Sequence, residues 1–273
     1  MEQTFEEIAD LAEDMGNRNL YRGKVNLSKI AKKAGIELIY GHYANHFLGE
    51  LVHSSRRFYI HLNLDKIPDK KSARMRFTIA HELGHYFIDS HRTKLSKGIS
   101  LSYKVDSKSK LESKIERQAN HFASHLLMPK KHFIRSAKKI EPGLDAILKL
   151  RNKYDTSIEC TALQYINLNL TNSIMLKWRS DFSFHYSPYS KFFSNFTGIR
   201  EKVLVKFNPE YIKDKVRIID ESRADYFEAA TPLSRWVATV MPGSANDLIG
   251  LEQTIKLGDY GGITLLTFQG GEV

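Results

Sequence analysis

The sequence predicts an α+β fold: a small sheet packed against an apolar helix within residues 1–170, followed by a β-rich region over residues 171–273. Three observations predict it. Phe77–Tyr86 reads FTIAHELGHY, a complete H-E-x-x-H run inside a strongly apolar segment of helical period. Residues 111–129 read LESKIERQANHFASHLLMP, a second amphipathic helix stopped by Pro129. From about Asn172 the helical periods give way to short β-rich runs, with Pro188, Pro209, Pro232 and Pro242 between them.

In chain order, residues 3–15 form a short acidic amphipathic helix. Asn26–Ala34 (NLSKIAKKA) forms another, with Asn26 as N-cap and Gly35 ending it. Glu37–Tyr40, Phe47–Val52 and Phe58–Leu64 read as strands split by turns. The third alternates, with Ile60, Leu62 and Leu64 on one face and Tyr59, His61 and Asn63 on the other. These strands make the small sheet against the motif helix, and an edge strand would let an extended peptide add alongside. His42, His46, His53 and His61 are scattered over strands and turns and read as surface or hydrogen-bonded residues.

At about 100° per residue, Ala73, Phe77, Ala80, Gly84, Phe87 and Ile88 share one side of the motif helix. Met75, Ile79, Leu83 and Tyr86 share another, leaving His81 and His85 on the strip between. A helix apolar over most of its surface is buried. Burying two imidazoles and a carboxylate is costly unless they are paired or bound to metal, which disfavours two ordinary helical histidines. Histidines at i and i+4 reach one ion, usually zinc, and Glu82 between them is placed to act as general base. Most of Thr93–Ser113, rich in Lys and Ser, reads as a loop between the two helices and a candidate lid, with its last residues entering the second. Tyr103 within it, or Tyr86, is a candidate to steady an oxyanion, with simple packing the alternative for either.

On the second helix Ile115, Ala119, Phe122, Ala123 and Leu126 form the core stripe, with Glu116 and Asn120 along one edge. Glu116 is therefore the candidate third metal ligand. Asn120 would fix an imidazole or the Glu116 carboxylate by hydrogen bond. Two histidines, one carboxylate and an open fourth position describe a catalytic zinc site. The alternative for Glu116 is a solvated carboxylate paired with lysine. A rival ligand source is the second pair, His121 and His125, roughly 140° and 180° from Glu116, on what reads as the solvated face.

RFTIAHELGHY at Arg76–Tyr86, followed by E-x-x-A-N-x-F-A-x-x-L-L-M-P at Glu116–Pro129, resembles the ImmA/IrrE family of zinc metallopeptidases over roughly residues 25–170. The resemblance implies a zincin-like peptidase domain in which His81, His85 and Glu116 bind Zn2+ and Glu82 is the catalytic base. It also implies a substrate, a helix-turn-helix transcriptional repressor cut to release a stress-response or mobile-element operon. Three positions depart from the family's habit: Asp89 where members often carry histidine, and Gln118 and His125 where they carry acids. These bear on substrate or regulation rather than on the metal.

The remaining features narrow the class. With 42% hydrophobic and 26% charged residues in 273, the composition is that of a soluble globular protein. No apolar run is long enough to span a bilayer, and the acidic amphipathic start is unlike a signal peptide. The single cysteine, Cys160, has no internal disulfide partner and reads as a quiet helical residue, in keeping with a cytoplasmic protein. The net charge of +10 lies wholly in residues 1–170, because residues 171–273 hold 12 Lys+Arg against 12 Asp+Glu. That excess suits nucleic acid or an acidic or DNA-bound protein partner, with an ordinary solvated surface the alternative because no base-reading motif is present. Leu144–Tyr154 and Ser157–Leu168 have the outline of a helix-turn-helix, yet the would-be recognition helix carries no Lys or Arg. Packing on the peptidase core is their expected use. A regulator that binds a repressor or DNA without proteolysis is the competing reading.

Residues 171–273 are expected to form a separate β-rich domain, sensory or substrate-binding. Its strands are placed at Ile174–Trp178, Lys202–Phe207, Val216–Ile219, Trp236–Met241 and Ile263–Phe268. Asp259–Gly262 is a turn, not a phosphate loop.

Overall fold

The structure, a computed structural model, describes residues 3–99, 110–197, 208–236 and 248–268. The chain divides into two compact units, Met1–Phe133 with Leu150–Ser157, and Ile134–Lys149 with Ile158–Val273.

The first unit begins with α1 (Phe5–Asn19), opened by a capping box in which Thr4 Oγ1 accepts from Glu7 N and Glu7 Oε2 accepts from Thr4 N. A two-strand ribbon, β1 (Leu20–Tyr21) and β2 (Lys24–Val25), leads into α2 (Leu27–Lys33). Asn26 caps α2 through its side chain at 2.9 Å from Lys29 N, and Gly35 follows in a left-handed conformation, as expected. Strands β3 (Ile36–Gly41), β4 (Gly49–Ser54) and β5 (Arg57–Asn63) form a sheet of order β3-β5-β4. β3 runs parallel and β4 antiparallel to the central β5, so β4 is an edge strand.

Ile60 and Leu62, which the alternation puts on one face, are fully buried. Asn63, which the alternation puts on the opposite face, is also fully buried. Its amide donates to Ala44 O and Phe47 O, and its carbonyl oxygen accepts from Asp65 N and Tyr43 N. It thereby pins the loop that delivers β4.

The motif helix is α3 (Ala73–Phe87), N-capped by Ser72 and followed after Ile88 by α4 (Asp89–Ser96). α4 corrects the expected loop over residues 93–113, whose first four residues are helical. Only His91 and Leu95 are buried in α4, too short a pattern to show a period. Residues 100–109, including Tyr103, lie outside the described residues. α5 (Lys110–Leu127) packs against both α1 and α3. Its helical run resumes after Pro129 as α6 (Lys130–Ala137), and α7 (Leu144–Tyr154) follows. Asp155, in the turn after α7, pairs with Lys24 at 3.1 Å and lies 3.5 Å from the Arg76 guanidinium.

The second unit holds α8 (Ile158–Asn167), on which Cys160 sits half-buried. Then come β6 (Ser173–Trp178), β7 (Phe184–Tyr186), α9 (Lys191–Thr197), α10 (Pro209–Ser222), β8 (Phe227–Pro232), β9 (Ile249–Lys256) and β10 (Gly262–Thr267). The strands form one antiparallel sheet of order β7-β6-β10-β9-β8, so the C-terminal region is β-rich. Its core gathers Ile174, Leu176, Trp178, Phe193, Ile212 and Leu266.

The expected strand at Val216–Ile219 is helix instead. Asn208 caps α10, Pro209 opens it, and Ile212, Val216 and Ile219 bury one helical face. A four-residue apolar run does not separate strand from helix; the longer 3.6-residue period does. Residues 202–207 and 237–241 lie outside the described residues, so the expected strands there are not described. Among the described residues, no helix is long and apolar enough to cross a membrane.

Candidate metal centre

The site is built where α3 meets α5. A Cβ on Gly84 would lie 3.2 Å from Ala119 O and from Phe122 Cβ, so the helices approach about as closely as a glycine allows. That approach brings Glu116 opposite the two motif histidines. His81 Nε2 and His85 Nε2 are 3.1 Å apart. Glu116 Oε2 is 3.3 Å from His81 Nε2, and Oε1 is 3.6 Å from His85 Nε2. Among the described residues these three are the only His, Cys, Asp or Glu group whose ligand atoms lie within 4.8 Å of one another.

These separations fit a metal ion. A tetrahedral zinc with bonds of about 2.0–2.1 Å sets its ligand atoms about 3.3–3.4 Å apart. The outer nitrogens agree. Asn120 Oδ1 lies 3.0 Å from His81 Nδ1, an arrangement in which Nδ1 donates to Asn120 and Nε2 is the atom left facing Glu116. Burial pushes the His81 pKa down, but the Glu116 hydrogen bond and the charges of Glu82 and Glu116 more than reverse it. Burial likewise pushes Glu116 up, yet its hydrogen bonds and charge contacts with His81 and His85 hold it well below the usual carboxylate range. Both directions say that the pocket favours positive charge among the three groups. The Glu116 side chain is 43% exposed, so the cluster opens to solvent on one side.

Glu82 is buried, and its Oε2 accepts from Leu51 N on edge strand β4 at 2.9 Å. Gly49 makes that contact sterically feasible: a Cβ there would meet Thr78 Cγ2 at 2.4 Å and come within 3.4 Å of Glu82 Oε1. Glu50, next along β4, has its pKa raised by burial and then by the Glu82 charge.

Residues 31–163 match the family model described as Peptidase_M78, IrrE N-terminal-like domain. This segment belongs to that family. The IrrE-like domain thus includes all of the ligand cluster, Glu82 and Asn120. The fold is also similar to a solved structure described as a Mycobacterium tuberculosis transcriptional regulator. The TM-score is 0.60 at 12% identity, covering 96% of this chain and 76% of that one. No curated protein matches the chain.

Two residues of the IrrE-like domain were not foreseen from sequence. His91 Nδ1 lies 3.2 Å from His85 Nδ1, and His91 Nε2 lies 3.0 Å from Gln118 Oε1. Both side chains are buried. Burial, then the neighbouring His85, pushes the His91 pKa down to about 4. The available signal was a histidine on a short segment after the motif helix, displaced by two residues from the family's usual position.

The rival pair takes no part in the cluster and does not face solvent. His121 Nε2 donates to Phe5 O at 3.0 Å, and His125 Nδ1 pairs with Glu13 Oε1 at 2.8 Å, so both face α1. Tyr86 donates its hydroxyl to Ala34 O at 3.2 Å, which removes it as an oxyanion donor in this arrangement. Of the scattered histidines, His42 pairs with Asp65, His61 bonds the Tyr43 hydroxyl, and His53 packs on the Phe58 ring.

Proposed function

We propose that the protein is a cytoplasmic zinc endopeptidase that cleaves a helix-turn-helix transcriptional repressor and so derepresses a stress-response or mobile-element operon. Residues 1–170 would be the peptidase domain, and residues 171–273 a sensory or substrate-binding domain. The observation that carries the reading is the convergence of His81 Nε2, His85 Nε2 and the Glu116 carboxylate beside a buried glutamate. His81, His85 and Glu116 would hold the ion, with Asn120 orienting His81. Bound zinc would supply Lewis acidity, polarising a peptide carbonyl and lowering the pKa of a water toward about 7.

Glu82 does the proton work. Leu51 N–H anchors Oε2, which leaves Oε1 to take the proton from the attacking water and pass it to the departing amine. The outer edge of β4 beside Glu82 offers backbone groups on which an extended substrate segment can align. The basic excess of residues 1–170 suits an acidic or DNA-bound substrate, with direct nucleic-acid binding the weaker alternative.

The test is co-expression with the repressor encoded nearest to it, wild type against Glu82→Gln, followed by mass spectrometry. Wild type should make one discrete cut, and the variant should retain zinc while cutting at least about 100-fold more slowly. A variant that cuts normally overturns the mechanism. An intact repressor held in complex by zinc-loaded wild type would instead establish a regulator that binds without cutting.

A further inference from the structure

Resting on the metal-site reading above, we propose that Gln118 and His91 form a buried relay that fixes the tautomer of His85 and thereby its Nε2 lone pair toward the ion. The relay has a direction, and a backbone carbonyl sets it. Gln118 Nε2 lies 3.3 Å from Gln3 O. A carbonyl oxygen only accepts, so the Gln118 amide must turn its NH2 toward Gln3 and its Oε1 toward His91. Gln118 Oε1 in turn only accepts, so His91 Nε2, 3.0 Å away, carries the hydrogen.

A neutral imidazole has one N–H, which leaves a lone pair on His91 Nδ1. His85 Nδ1, 3.2 Å from it, must then be the donor. The His85 Nε2 lone pair is left facing His81 Nε2 and Glu116. Reversing any one member would put a hydrogen on His85 Nε2 and block ligation there.

The burial of the members favours a single arrangement. His85 is 4% exposed, and His91 and Gln118 are 1% exposed, so water has little access to replace a lost partner. Three segments contribute: α4 supplies His91, α5 supplies Gln118, and the residues before α1 supply the Gln3 carbonyl. Gln3 is itself held by a hydrogen bond from Asp89 N to its Oε1 at 2.9 Å. His81 is oriented differently, by the side chain of the exposed Asn120. His91 and Gln118 are therefore positioning residues that act through His85.

The test is zinc affinity of the full chain by chelator competition, with the visible spectrum of the Co2+-substituted protein as a second readout. His91→Phe keeps a ring but no acceptor and should weaken zinc about 10–100-fold. His91→Asn, which returns an acceptor oxygen near the Nδ1 position, should recover most of that loss. Gln118→Met removes the acceptor for His91 Nε2 and should resemble His91→Phe. The cobalt spectrum should change in His91→Phe and Gln118→Met and match wild type in His91→Asn.

Wild type that binds zinc with His91→Phe binding it equally overturns the relay and leaves the metal centre standing. Failure of His91→Asn to bind better than His91→Phe also overturns it, because the loss would then be one of packing. A wild type that binds no zinc overturns the metal centre and the relay together.

Discussion

Two pairs of histidines at i and i+4 lie on helices packed against each other, and they have different fates. His81 and His85 on α3 have ring centroids 4.7 Å apart; His121 and His125 on α5 have theirs 4.4 Å apart. Spacing alone does not distinguish them. The first pair turns two Nε2 atoms toward one point and meets a carboxylate there, while a hydrogen bond engages each Nδ1 behind it. The second pair sends one nitrogen to a backbone carbonyl and the other to Glu13, on two different turns of α1. Convergence with a carboxylate, supported from behind, makes a cluster that could hold a metal ion; divergence makes a helix–helix fastening.

The largest effects should come from exchanging the treatment of the two pairs. His81→Ala or Glu116→Gln should cost more than the about 10–100-fold in zinc affinity typical of an outer residue. His125→Ala should leave zinc affinity unchanged and instead destabilise the fold by about 1–3 kcal/mol, because Glu13, with 18% side-chain exposure, loses its partner. Urea unfolding and chelator competition on the same samples separate the two outcomes. Weakened zinc binding in His125→Ala with unchanged stability would erase the contrast.

A smaller effect isolates Glu82 from the ligands beside it. Gly49→Ala places a methyl group 2.4 Å from Thr78 Cγ2, an overpacking expected to cost about 1–3 kcal/mol and to shift β4 away from Glu82. Peptidase activity should fall with zinc affinity kept, and adding Thr78→Ser, which removes Cγ2, should restore much of it. An active Gly49→Ala single variant would show that the β4 contact does not position Glu82.

The smallest effect belongs to the second pair and to pH. Burial, then the charge of His125, holds the His121 pKa below its ordinary value, while Phe5 O and Glu13 oppose this. A histidine whose folded pKa is depressed contributes stability that is present above about pH 6.5 and lost as pH falls through the folded value. Stability of wild type should therefore fall more between pH 7 and pH 5 than that of His121→Phe, read as unfolding midpoints in urea. Parallel profiles would remove His121 from the account.

Much of the site was legible because it is written in helical periods. A fixed turn of 100° per residue puts His81 and His85 on one strip, and Glu116 and Asn120 on one edge, before any packing is known. Asn26, Gly35 and the alternation around Ile60 were readable for the same reason: each is a local rule about a cap, a backbone angle or a face.

The misreadings share a different origin. β9 hides behind polar letters, since Glu252, Gln253 and Thr254 are buried in the sheet, where hydrogen-bond partners offset the cost of burying them. Glu252 pairs with Lys215 and accepts from Trp236 Nε1 at 3.0 Å and from the Tyr211 hydroxyl at 3.2 Å. β9 supplies one of these residues, and the others come from α10 and the turn after β8. The face of α5 bearing His121 and His125 read as solvated until α1 covered it.

By itself, the sequence determined which residues share a helix face, His81 with His85 and Glu116 with Asn120, because that depends on bond geometry within a few turns. Only the tertiary structure decided that His91 and Gln118 stand behind His85, that Leu51 N–H holds Glu82, and that the second histidine pair fastens α1. Those contacts join residues between 6 and 116 positions apart. They depend on how separate elements pack and on the need of each buried polar group for a partner, and no local period encodes that.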